Sequence, residues 1–153
     1  MTIRKVEIER LTVVSSRPFE AAISALEAAI GRPDMRDFSK SAKEAANYAE
    51  LQALADRSVS DRGLMLFMKL DLGAVLRKES GLDGPKGIRL TIGNPLVMKE
   101  MVKHVPDAGG YAPASILVDE RADGASLSYD KVERALVPYG NPKALAIATI
   151  KWN

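Results

Sequence analysis

The stretch from residue 63 to residue 120 constrains the fold most, because strand patterns in it bracket a Gly93-Asn94-Pro95 turn. Leu64, Leu66, Met68, Leu70 and Leu72 alternate with Met65, Phe67, Lys69 and Asp71, the period of two that marks a strand. This spacing predicts one core-facing row through the leucines and a reverse row that begins apolar and ends ionic. Residues 88–92 read as a second strand, with Ile88, Leu90 and Ile92 inward and Arg89 and Thr91 on the reverse. Residues 115–118 read as a third. Pro95 suits a first helical position, so the turn launches a helix over 96–105 with Leu96, Met101, Val102 and Val105 along one side.

Either side of this stretch the chain keeps the same grammar. Residues 2–14 read as a strand in which Val6 and Ile8 share one parity and Leu11 and Val13 the other, placing a bulge or bend near Glu9-Arg10. Pro18 opens a helix whose Phe19, Ile23, Leu26 and Ile30 fall on one stripe, and Gly31 and Pro33 end it. Residues 34–62 form a helical insertion. There Ser41 and Glu44 fit a capping box ahead of an alanine-rich helix over 45–55, whose apolar face is thin. Residues 73–80 read as a short helix or turn. Beyond the third strand, Asp123-Gly124 marks a hairpin, and Leu127 and Tyr129 alternate in the returning strand. Asp130 and Glu133 fit a cap before a helix over 132–137, and a last helix covers 144–150. The order β-α-β-β-α-β-β-α predicts an α+β domain spanning 1–153: a curved antiparallel sheet of about five strands with helices packed on one face.

Composition narrows the function classes. The 153 residues contain no cysteine, which excludes disulfides and thiolate metal sites. Twenty-two Lys plus Arg against 20 Asp plus Glu leave a net charge of +2, interleaved in sign, and aromatics make up only 5%; a nucleic-acid partner is not expected. No run reaches the ~18 apolar residues of a membrane span, and residues 1–10 lack the apolar core of a signal peptide, so a cytoplasmic, soluble protein is expected. His104 is the sole histidine and suits a helix C-terminus better than a metal. No phosphate-binding glycine loop occurs. No metal and no cofactor are expected.

Several short motifs in register resemble the domain of unknown function 302 family. They are Lys69-Leu70-Asp71, Gly93-Asn94-Pro95, the Pro113 loop, Asp119-Glu120, Asp123-Gly124 and Leu127-Ser128-Tyr129-Asp130. The resemblance covers residues 63–137. It implies a fold like the TATA-binding-protein superfold, commonly seen as dimers, and no established reaction. Two positions depart from the pattern: Leu72 stands where many members carry histidine, and Lys131 where they carry proline.

The candidate ligand-binding residues are Phe67, Lys69, Asp71, Asn94, Tyr111 and Tyr129. Lys69 and Asp71 share a strand face and suit a polar pocket floor near Arg89 or Thr91, or else a cross-strand ion pair. Asn94 with Pro95 suits a helix cap, or an anion site at a helix N-terminus. Tyr111 and Tyr129 could stack on a ligand or bury their rings. No residue is assigned a catalytic role. The expected function is a homodimeric domain that binds a small molecule or a protein partner without catalysis. The alternative is a small enzyme using Lys69, Asp71, Asn94 and Tyr129.

Overall fold

The structure is a computed structural model and describes residues 1–152, with side chains through residue 150. Five strands, β1 (Arg10–Ser15), β2 (Met65–Asp71), β3 (Gly87–Gly93), β4 (Ala114–Arg121) and β5 (Gly124–Asp130), form one sheet in the order β1-β5-β4-β3-β2. Every neighbouring pair is antiparallel. The helices are α1 (Phe19–Ala29), α2 (Met35–Glu44), α3 (Tyr48–Ser58), α4 (Gly73–Ser80), α5 (Pro95–Val102), α6 (Val132–Leu136) and α7 (Pro142–Trp152). The class is α+β, as the order of patterns predicts, and the sheet is open.

Helix α1 follows from its stripe: Phe19, Ala22 and Ile23 are buried against Val118 and Ala125, with Leu26, Ile88, Ile116 and Leu127 alongside. Burying a side chain the size of Phe19 or Ile23 contributes about 1.5–3 kcal/mol, so this contact fixes which sheet face is core. A second cluster joins Met101, Val105, Val132, Leu136, Ala144 and Ala148. It holds α5, α6 and α7 together, where alanines let the helices approach closely. Gly124 sits at φ +146, and a Cβ there would fall 2.0 Å from the Ser15 carbonyl oxygen. The β4–β5 hairpin can press against the end of β1 only because this residue has no side chain.

Three expectations are corrected. The first strand begins at Arg10, not Thr2. Ahead of it the chain runs outside the sheet, where Arg4 pairs with Asp107, 3.2 Å away, and Glu9 with Lys131 and Arg134. Residues 34–62 hold two helices rather than one. Ser41 lies inside α2, which Asp34 caps, while Asn47 caps α3 and Glu50 closes that box by accepting from the Ala46 amide. The third correction concerns β2. Leu66 pairs with Ile92 and Met68 with Thr91, so Phe67 is a bulge and the parity flips at it. Leu64 and Leu66 pack on the core with Ile30, Leu90 and Ile92. Beyond the bulge Met68 and Leu70 turn to the opposite face, 45% and 43% exposed, whereas Met65, placed by alternation on the reverse, is fully buried.

Candidate functional site

The face opposite α1 carries a row that crosses the whole sheet: Thr12, Ser128, Leu117, Arg89 and Leu70, each opposite the next. The adjacent row includes Arg10, Asp130, Ser115 and Thr91. The Arg89 Nε donates to Ser115 Oγ at 3.0 Å. A cavity of about 290 Å³ opens over it. Its floor is Arg89, Ser115 and Asp130, its far wall Tyr111, Pro113 and Val132, and its roof the N-terminal residues Val6 and Ile8.

That N-terminal arm is fastened on both sides of its roof segment. The Arg4 guanidinium lies 3.9 Å from the centre of the Tyr139 ring and pairs with Asp107. Tyr139 exchanges a 2.9 Å hydroxyl hydrogen bond with Tyr111 and meets it edge to face. That bond and burial together raise the Tyr111 pKa, so its hydroxyl stays protonated at neutral pH. On the other side the Lys131 amide donates to the Glu9 carbonyl at 2.9 Å, and Arg10 grips Asp130 through two bonds of 2.7 and 2.8 Å. The Arg10 hydrogen bonds hold the Asp130 carboxyl below its usual range, and the Lys131 hydrogen bond does the same for Glu9.

The six sequence candidates do not form one cluster. Asp71 is tied to Arg77 of α4 at 2.5 Å and its pKa is lowered, first by that hydrogen bond. Lys69 pairs with Glu27 of α1 at 2.6 Å. Both lie on the α1 face, opposite Leu90 and Ile88, because of the Phe67 bulge; they are therefore away from Arg89 and Thr91. Tyr129 shares the α1 side with Ile116 and Leu127, and burial, then the charge of Glu133, raises its pKa. Asn94 caps α5, accepting from the Leu96 amide at 2.9 Å, and donates to the Gly63 carbonyl at 3.0 Å. It also borders a groove of about 490 Å³ between α3, α5 and α7. At the rim of that groove Lys99 donates to the Tyr48 hydroxyl at 2.7 Å, and its hydrogen bonds to Glu100 and then to Tyr48 raise its pKa. Hydrogen bonds from Lys99 and Lys103 hold the Glu100 carboxyl down to about 2. Of the six, only Tyr111 lines the Arg89 cavity.

Sequence reasoning passed over Arg89, Ser115 and the Val6–Ile8 roof as site residues. A signal for Arg89 was present: an arginine on the reverse of a strand whose partner strand shows serine at the matching parity. The roof had none, since its position depends on contacts more than a hundred residues away along the chain.

The fold and this cavity define an α+β domain with one helix-covered sheet face and an arm-roofed pocket on the other. A family model described as "Domain of unknown function DUF302" matches residues 38–150, and the chain belongs to that family. The crystal structure of an uncharacterized conserved protein DUF302 from Bacillus stearothermophilus is similar, with a TM-score of 0.61 and 17% identity over 92% of this chain and 88% of that one. No curated protein matches. Among the described residues, no helix is long and apolar enough to cross a membrane.

Proposed function

We propose that this chain is a homodimeric domain, one unit over residues 1–153 with 34–62 as an excursion, that binds a small molecule without transforming it. The observation that carries the reading is the cavity under the arm. It is concave, its walls mix apolar side chains with a few convergent polar groups, and its size lies near the lower limit of ligand sites. The charges around it favour binding over turnover. Asp130 and Glu9 are held ionised by Arg10 and Lys131, whereas proton transfer needs a group poised near the working pH. Dimerisation is supported by the exposed apolar side chains Val14, Leu117 and Leu70 on the open sheet face, since such surface commonly marks an interaction site.

A thermal-shift screen with light scattering tests both parts. The expected result is a particle of twice the chain mass at micromolar concentration. At least one compound should stabilise the wild type and fail to stabilise Ser115→Trp, in which the indole fills the cavity. A monomer at that concentration would remove the dimer. A screen in which every stabilising compound acts equally on both proteins would remove this site.

A further inference from the structure

Resting on the binding reading above, we infer that the cavity under the N-terminal arm takes a compact organic anion, a carboxylate carried on a small apolar body, with Arg89 as its anchor. The argument is one of charge balance. Three charged side chains border the cavity besides the roof: Arg89, Asp130 and Lys131. Asp130 spends both carboxylate oxygens on Arg10, and Lys131 is paired with Glu9. Arg89 gives its Nε to the neutral Ser115 hydroxyl and has no carboxylate partner among the described residues. The cavity therefore holds one uncompensated positive charge, presented as the planar fork that matches a carboxylate with two parallel bonds.

The walls specify the rest of the ligand. Val6, Ile8, Pro113 and Val132 are apolar and offer an anion's body nothing to hydrogen-bond, which disfavours a bare hydrated ion. A volume of about 290 Å³ lies at the small end of ligand sites, which suits a compact acid such as benzoate. The roof supplies the way in. Val6 and Ile8 lie between the Arg4 fastening on Tyr139 and Asp107 and the Glu9 fastening on Lys131 and Arg134. These fastenings are mostly exposed ion pairs, individually weak and sensitive to salt, so the arm can lift without disturbing the sheet.

The test is a titration of the full chain with benzoate, benzamide and inorganic phosphate, followed by amide NMR shifts and calorimetry. Benzoate is expected to move the amides of Val6, Ile8 and Ser115. It should bind about tenfold or more tighter than benzamide, the difference a charge-assisted pair supplies. Arg89→Gln should remove that advantage and Arg89→Lys keep part of it, both with spectra unchanged away from the cavity because the side chain is exposed. Equal binding of benzoate and benzamide, or an Arg89→Gln protein that keeps the preference, overturns the anion assignment while leaving a small-molecule site in place. Phosphate binding as tightly as benzoate overturns the apolar-bodied ligand. Shifts from none of the three at the cavity overturn both the anion assignment and the site itself.

Discussion

At the scale of single residues, Asn94 shows how one side chain can be read correctly and still only in half. Its oxygen caps α5 and its amide nitrogen ties that cap to the Gly63 carbonyl, 31 positions away in sequence. The cap was legible because N-cap grammar is local: Asn, then Pro at the first helical position. The second bond was not, because nothing near Gly63 announces which side chain will meet its carbonyl. Asn94→Ala loses both, and about 1–2 kcal/mol of stability should go with them. Asn94→Asp keeps the acceptor and loses the donor, so it should fall between. Urea unfolding of the three proteins measures this directly, and an alanine variant as stable as the wild type would show that neither bond matters. Lys69 and Asp71 carry the same lesson. Their charges were plain in the sequence, but their partners, Glu27 and Arg77, belong to two different helices.

At the scale of elements, β2 separates what alternation can and cannot show. A strand was legible over 64–72 because apolar residues recur at every second position. Its facing was legible only as far as Leu66. The bulge at Phe67 adds one residue to one strand, and everything beyond it changes sides. Apolar residues stand on both parities near the bulge, so the sequence looks regular straight through it. As a result Met68, beyond the bulge, lies on the open face, while Met65, ahead of it, is buried without any change of parity. Mild peroxide treatment of the folded protein, followed by peptide mass spectrometry, should oxidise Met68 well before Met65 or the equally buried Met101. A Met68 oxidised no faster than Met65 and Met101 would mean that it faces the core and that the strand runs through residue 67 without a bulge. Helix α3 failed for a related reason. Ser41-x-x-Glu44 and Asn47-x-x-Glu50 both satisfy the capping pattern, and only the position of the real break, at residues 45–47, decides between them.

At the scale of the whole molecule, α2 and α3 leave and rejoin the rest of the fold at one point. The Gly31 amide donates to the Leu64 carbonyl at 2.9 Å, and the Leu66 amide donates to the Gly31 carbonyl at 2.8 Å. These bonds clamp the end of α1 to the start of β2, so the intervening α2 and α3 form a closed excursion. That residues 34–62 are largely helical was legible in the sequence. The docking was not, because it depends on Gly31, where a Cβ would strike the Ser58 carbonyl at 2.0 Å, and on Leu54 and Ala55, the buried residues of α3. Replacing residues 33–62 with a short Gly-Ser turn exposes whatever Leu54 covers, at a cost of about 1.5–3 kcal/mol. It also shortens the connection by roughly three doublings, and at about 0.6 kcal/mol for each the smaller closure entropy returns close to 2 kcal/mol. The two terms nearly cancel. The shortened chain should therefore still melt cooperatively, within about 1–2 kcal/mol of the parent, and keep the amide shifts of Ser115 and Arg89. If instead its melting loses cooperativity, the insertion is part of the core rather than an excursion from it.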